Sequence, residues 1–301
     1  MKILENIPMQ KYTTLKIGGP AKYLVEAMSR NEIIEAMTWA KEKNLEWKLV
    51  SVGSNLLVSD TGYDGLIIIN KNTGIKIEGN KMDVESGTEL LQMVEQAIAN
   101  SLAGCECLTD IPGSVGGAVY GNAGAYGQTI SDCLTWVEVI GKKYTKGECE
   151  FAYRSSRFKG SGEVILAAGF EFRPGDQKIL KEKFTEIRAT RAEKYPKSMQ
   201  CPGSFFMNLF FDELPPETQK LIPPEKIKNA KIAAGYLLEQ VGAKGRKLGG
   251  AAVSANHGNL IYNAGGATAA DVWTLATQLQ DEVEKKFGVR LTPEIQRLGK
   301  F

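Results

Sequence analysis

Apolar residues recur along this chain at two alternating spacings. From Ser29 to Asn44, Ile33, Ile34, Met37 and Ala40 fall three to four apart, the stripe of an amphipathic helix. Ser29 followed by Glu32 has the form of a capping box at its start. Lys48 to Val52 and Leu66 to Ile69 are short apolar runs bounded by turn residues, which predicts strands. Ser86 with Glu89 predicts a second capped helix, with Leu90, Leu91, Val94, Ala97 and Ile98 inward. Trp136 to Ile140 and Val164 to Phe172 predict two further strands. Lys178 to Arg191 is helical, with Ile179, Leu180, Phe184 and Ile187 on one side. Lys231 to Val241 reads as a helix stopping at Gly242. Thr268 with Asp271 opens a last long helix lined by Val272, Leu275, Leu279 and Val283 and closed by Gly288. Val289 to Leu291 reads as a final strand. Ile111 to Gly127 has no period and is dense in Gly, so it predicts loops and tight turns.

Helical and strand patterns thus alternate, which predicts mixed α and β layers. A length of 301 residues fits about two domains, and Pro196, Pro202 and Gly203 mark a boundary near 195–203. Composition narrows the function. Lys+Arg of 37 against Asp+Glu of 35 leaves no overall basic footprint for nucleic acid. The start lacks the apolar core of a signal peptide and no apolar run is long enough to span a membrane. Together these predict a cytoplasmic protein without membrane insertion. The five cysteines include no pair of pairs at zinc spacing, so buried apolar roles are expected and no metal site. The single histidine, His257, leaves any serine hydrolase resting on one residue.

Four clusters carry candidate chemistry. Gly53-Ser54-Asn55-Leu56-Leu57 follows a strand, where backbone N–H groups can form an anion nest. Ile111-Pro112-Gly113-Ser114-Val115-Gly116-Gly117-Ala118, continuing to Asn122-Ala123-Gly124-Ala125-Tyr126-Gly127, lets a backbone approach a large ligand closely. It matches neither a dinucleotide fingerprint nor a Walker loop. Tyr153-Arg154-Ser155-Ser156-Arg157 suits a bidentate carboxylate or phosphate contact, or equally a surface ion-pair segment. Gly203-Ser204-Phe205-Phe206-Met207-Asn208 presents a serine that could donate a proton without a triad.

Taken in order, with Gly18-Gly19-Pro20-Ala21 near the start and Pro293-Glu294 near the end, these motifs resemble the UDP-N-acetylenolpyruvoylglucosamine reductases over nearly the whole chain. The chain resembles the shorter subgroup. The resemblance implies an α+β fold: an FAD-binding domain of the vanillyl-alcohol-oxidase type in two subdomains, plus a smaller α/β substrate-binding domain. The implied bounds are 1–70 and 71–198 for the two subdomains, with 289–301 returning to the second, and 199–288 for the substrate domain. It implies an NADPH-dependent flavoenzyme that reduces an enolpyruvyl UDP-sugar to UDP-N-acetylmuramate in peptidoglycan precursor synthesis. The small-molecule UDP-sugar is then the partner, with no obligate protein partner. The alternative is another FAD-dependent oxidoreductase on the same scaffold acting on a different sugar or alcohol.

Carried over by position, the resemblance implies FAD contacts at Gly53, Ser54, Asn55, Leu56, Leu57, Gly116, Gly117, Ala118, Asn122, Gly124 and Ala125. It implies catalytic roles for Arg154, Ser204 and Glu294, with Ser204 as proton donor and Arg154 and Glu294 flanking the substrate carboxylate. Tyr153, Lys194, Asn208 and Lys244 are implied to hold the UDP-sugar. The chain departs from the family pattern at Asp110, Leu209, Gly258 and Thr292, and Asp110 is expected to add negative charge near FAD. His257 receives no role.

Overall fold

The computed structural model describes residues 1–196 and 198–301. They form two compact units. The first comprises Met1–Glu5, Tyr23–Val52 and Gly65–Glu193, and the second Asn6–Lys22, Gly53–Asp64 and Lys194–Phe301. These units differ from the expected bounds. Residues 53–64 join the second unit rather than the leading segment, and 289–301 do not return to 71–198. The reason is a parallel pairing inside the second unit, where Gln296–Leu298 lies beside Leu56–Val58.

Eight α-helices are present among the described residues. In chain order they are α1 (Arg30–Glu42), α2 (Leu90–Ala99), α3 (Val115–Gly121), α4 (Arg157–Ser161), α5 (Gln177–Lys194), α6 (Pro216–Lys220), α7 (Ala234–Gln240) and α8 (Ala269–Phe287).

In the first unit, α1 buries Ile33, Ala36 and Ala40 against Val25, Ala27, Leu66 and Ile68 of a sheet in which Trp47–Val50 runs parallel to Leu66–Ile69. Ile34 faces solvent instead, because the buried stripe continues through Ala36. Ser29 caps the helix by accepting the Glu32 N–H, but the Glu32 carboxylate reaches the Met28 N–H, so the expected box is half formed. A second, antiparallel sheet has the order Lys142–Thr145, Leu134–Val139, Ile165–Glu171, Lys81–Glu85, Ile75–Glu78. Its core joins Val84, Val137 and Phe170 to Met93, Val94 and Ala97 of α2 and Val115 and Val119 of α3. Ser86 does not cap α2: its hydroxyl accepts from Asn70 Nδ2 at 2.8 Å, and the helix begins at Leu90, whose N–H goes to the Gly113 carbonyl. On α5, Leu180 and Ile187 are buried while Ile179 is exposed, so the packed stripe is narrower than the spacing predicts.

In the second unit, α8 supplies Val272, Leu275, Leu279 and Val283 to a core shared with Leu237 and Leu238 of α7, Leu57, Phe205 and Phe206. Its capping box is complete: Thr268 and Asp271 each accept the other's backbone N–H at 3.0 Å. Gly288 ends it in the left-handed conformation, φ 66°. Two expectations fail here. Lys231–Ile232 is a strand paired with Leu209–Phe210, and the helix starts only at Ala234. Residues 289–291 form no strand, because the Leu291 carbonyl accepts Gln280 Nε2 from α8.

Candidate active site

The glycine-rich segment of the first unit is not a loop throughout. Ser114 accepts the Gly117 N–H at 3.2 Å and starts α3, and Asn122 closes it at φ 44°. The Val115 N–H goes to the Thr88 carbonyl and the Gly116 N–H to the Ser86 carbonyl. These amides, which a helix start normally leaves open, are therefore taken by the protein. A Cβ on Gly116 would lie 2.7 Å from Ser86 Cβ and 2.9 Å from Ser86 O, so this glycine is required for packing. Gly117 differs: it is exposed, and a Cβ there would meet only Ser114 Oγ at 3.6 Å. Ala118 is buried in the core.

The arginine cluster docks on this segment. Ala152 and Ser155 exchange backbone hydrogen bonds, making a tight turn with Tyr153 and Arg154 at its corner. Three bonds pin the turn down: Asn122 Nδ2 donates to Ala152 O at 2.9 Å, Arg154 Nη2 to Gly124 O at 2.9 Å, and Ser156 Oγ to Tyr120 O at 2.8 Å. Arg154 itself sits at φ 53°. A left-handed non-glycine residue costs about 1–3 kcal/mol and persists only where surroundings fix it. Such a site is where a functional side chain is held in one direction. Asp110, also left-handed at φ 53°, does not leave a loose negative charge as expected. Its carboxylate takes a two-pronged contact from Arg188 of α5 at 3.0 and 3.1 Å.

The second unit carries the remaining predicted residues. Gly53 is at φ 64°, and a Cβ there would lie 2.0 Å from the Tyr12 carbonyl oxygen, so only glycine fits. Asn55 Nδ2 donates to Glu294 O at 3.0 Å and Asn55 O accepts the Gln296 N–H, which binds the Gly53–Leu57 segment to the Glu294 strand. Leu57 is fully buried in the core, so its side chain packs rather than contacting a ligand.

Ser204 follows Gly203, which is at φ 87°. Its hydroxyl lies 3.4 Å from the Tyr195 hydroxyl. The Phe205 carbonyl accepts the Glu294 N–H at 2.8 Å, and the Met207 N–H goes to the Thr292 carbonyl. The loop with Ser204 and the segment with Glu294 are thus laced by backbone bonds, and two predicted catalytic residues come together. Asn208 Oδ1 accepts the Ala234 N–H, placing it at the start of α7. Lys244 is paired with Glu239 at 2.9 Å.

No hydrogen bond among the described residues joins His257 to Ser204 as a hydrolytic base would require. Its Nδ1 accepts the Asn259 N–H at 3.1 Å, so the neutral ring carries its proton on Nε2. Burial pushes it down to about 4, with Lys194 adding to the shift, Glu239 opposing it and Lys244 adding again. The cysteines Cys105, Cys107, Cys133 and Cys149 are buried, and burial raises each thiol.

The residues present fit a flavin nucleotide on two observations. Asn122 Oδ1, in the glycine-rich segment, and Thr14 Oγ1, on the residue whose N–H donates to the Gly53 carbonyl, are buried without a hydrogen-bond partner among the described residues. The glycine-rich segment is open where bulk would obstruct: a Cβ at Gly121 or Gly127 would meet nothing within 4 Å. Sequence reasoning missed Asn259 and Tyr195 as contacts of the Ser204 loop. The only signal for Asn259 was its place two residues after the lone histidine.

Two family models match the chain. One describes an FAD binding domain, over residues 21–143, and the other the C-terminal domain of UDP-N-acetylenolpyruvoylglucosamine reductase, over residues 195–298. A UDP-N-acetylenolpyruvoylglucosamine reductase of Solibacter usitatus is 35% identical, covering 99% of this chain and 97% of its own. That of Carboxydothermus hydrogenoformans is 39% identical over 99% of this chain and 94% of its own. The crystal structure of UDP-N-acetylenolpyruvylglucosamine reductase from Thermus caldophilus superposes with a TM-score of 0.80 at 29% identity, covering 99% of this chain and all of that one. No helix among the described residues is long and apolar enough to cross a membrane.

Proposed function

This chain belongs to the UDP-N-acetylenolpyruvoylglucosamine reductase family, and we propose that Arg154, Ser204 and Glu294 reduce the enolpyruvyl ether of UDP-N-acetylglucosamine to the lactyl ether of UDP-N-acetylmuramate. This is a cytoplasmic step of peptidoglycan precursor synthesis. When bound, FAD supplies the hydride, which it receives from NADPH. By the resemblance, Asn122, Gly117, Gly124, Ala125, Ser54 and Asn55 would hold it. Gly53, Gly116, Ala118 and Leu57 support that surface through packing, as their contacts indicate. Leu56 contributes through the strand it shares with Gln296.

Hydride addition to the terminal methylene carbon leaves the negative charge on the carbon beside the carboxylate and drives it onto that carboxylate. Arg154 provides a permanent cation for it, and the Gly124 carbonyl fixes the guanidinium direction. Glu294 flanks the same carboxylate. Ser204 delivers the proton to the carbon beside the carboxylate, which completes the addition across the double bond. A serine is a weak acid, but the enolate-like intermediate is a strong base, so position decides the rate. Tyr195 stands behind Ser204 and can replace the proton it gives up. Lys194, Lys244 and Asn208, with Tyr153, would hold the UDP-sugar. Lys244 would have to exchange Glu239 for the diphosphate.

The observation that carries this reading is the 2.8 Å bond from the Glu294 N–H to the Phe205 carbonyl, which seats Glu294 against the Ser204 loop. The test is an anaerobic visible spectrum of the FAD-loaded protein. NADPH should bleach the flavin, and the enolpyruvyl UDP-sugar should restore its colour. Ser204→Ala should bleach normally and recover roughly 10²–10⁴-fold more slowly, the range of a lost general acid. A flavin that bleaches but never recovers with the wild-type protein would point to another oxidoreductase.

A further inference from the structure

We propose that Asn259 is the positioning residue for Ser204, acting through the backbone of Phe205 and Phe206. The inference rests on the reading that Ser204 is the proton donor.

Asn259 is 2% exposed, and its polar groups converge on the Ser204 loop. Its backbone carbonyl accepts the Phe205 N–H at 2.9 Å. Its side-chain Oδ1 accepts the Phe206 N–H and its Nδ2 donates to the Phe206 carbonyl, both at 2.8 Å. A side-chain amide here pairs with both polar groups of one residue, as a strand neighbour would, but from a single fixed point. Its own N–H is held by His257 Nδ1 at 3.1 Å, so the amide is anchored from behind.

The bonds all lie on the C-terminal side of Ser204. Phe205 and Phe206 bury their rings, and the Phe205 carbonyl and Met207 N–H are fixed by Glu294 and Thr292. On the N-terminal side stands Gly203 in the left-handed region. Among the described residues, the Ser204 hydroxyl has only the long 3.4 Å approach to Tyr195 as a hydrogen bond to another side chain. The direction of its Cα–Cβ bond is therefore set by the peptide that follows it. Among the described residues, Asn259 Oδ1 and Nδ2 are the only side-chain groups bonded to the Phe206 backbone. Proton delivery to carbon depends on direction, and a displacement of about 1 Å can cost on the order of 10²-fold. Reduction of the flavin by NADPH does not use Ser204 and should not depend on the clamp.

The experiment is a double-mutant cycle on the FAD-loaded protein, reading the two half-reactions separately. Asn259→Ala should slow substrate-driven flavin recovery by about 10–10²-fold and leave NADPH bleaching within about twofold. In a Ser204→Ala background it should add almost nothing, because there is no longer a hydroxyl to aim. Asn259→Asp keeps the acceptor for the Phe206 N–H but sets a carboxylate oxygen against the Phe206 carbonyl where the amide donated, so it should slow recovery at least as much as alanine and again leave bleaching within about twofold. It also answers the question if the alanine variant does not fold. Equal losses in both half-reactions would mean general loosening and would overturn the inference. So would a loss that multiplies with that of Ser204→Ala, or wild-type recovery in the Asn259 variants. Normal recovery in Ser204→Ala alone would instead overturn the reading of Ser204, and the inference with it.

Discussion

The segment from Ile111 to Gly127 and the loop from Gly203 to Asn208 are both irregular stretches proposed to face ligands, but they are fixed by different means. In the first, backbone groups bond to backbone groups: the Thr88 and Ser86 carbonyls accept the Val115 and Gly116 N–H groups that begin α3, and the Gly113 carbonyl accepts the Leu90 N–H that begins α2. The glycines make this possible by letting main chain approach main chain, as Gly116 does at Ser86. In the second, backbone bonds with Asn259, Thr292 and Glu294 are joined by a buried side-chain clamp, the Asn259 amide, over a floor of two phenylalanine rings. A backbone lattice tolerates little change in volume at its contact points. A side-chain clamp tolerates change in shape but fails when a single amide is lost.

The sharpest way to break the contrast is to remove the floor of the second loop. Leu57→Ala should cost about 2–5 kcal/mol of stability, the usual loss for a fully buried leucine. Its effect on FAD affinity, measured on the folded fraction, should be small by comparison, because the side chain lies in the core with Phe205 and Phe206. Denaturant unfolding beside a flavin titration separates the two. A large affinity loss with unchanged stability would restore Leu57 to the ligand surface.

A pair of substitutions tests the first segment from within. Gly116→Ala forces a methyl against Ser86 backbone and should destabilise by about 1–3 kcal/mol, although alanine favours helix by about 1 kcal/mol. Gly117→Ala has room and should leave the melting temperature unchanged or slightly higher. It should weaken FAD binding if the exposed face of α3 meets the cofactor. Opposite signs in the melting temperatures of adjacent glycines would separate packing from binding. Equal destabilisation would show that the segment acts as one rigid block.

What the sequence made legible follows the same division. Glycine clusters are visible as composition and read as a nest and as room for a ligand, whereas Gly53 and Gly116 are pressed against the chain's own Tyr12 and Ser86. The capping box at Thr268 and the stripe of α8 are local patterns and appear in the structure as written. The glycine-rich segment hid a helix, because α3 exists through the Ser114 cap and packing on Ser86 rather than through propensity. Ser86 looked like a cap and serves Asn70 instead, since a hydroxyl's choice of partner is tertiary. Asp110 looked like an added charge, and its partner Arg188 lies 78 residues away. Asn259 had no local signature, because its partners at 205 and 206 are distant in sequence. Residues that act through long-range hydrogen bonds are those a single chain of letters conceals.

The smallest effect expected concerns the residue behind the clamp. His257 is pushed down to about 4 from its ordinary 6.5, chiefly by burial, with Lys194 and Lys244 adding and the Glu239 carboxylate opposing. Its unfolded form takes up a proton as pH falls through 6.5, while the folded form stays neutral until about 4. Between those values the unfolded state binds more protons, so stability falls with falling pH across the window and is fully present above it. Protonation would also favour Nδ1 as a donor, setting it against the Asn259 N–H that it now accepts. His257→Asn offers an acceptor at nearly the same place, since an asparagine oxygen also takes the N–H two residues on, and it does not titrate. Melting temperatures from pH 7.5 to 4.5 should therefore fall less steeply in His257→Asn than in wild type, while the two converge near neutral pH. If the slopes are parallel, the carboxylates govern acid stability and the histidine is only a spacer behind the Ser204 loop.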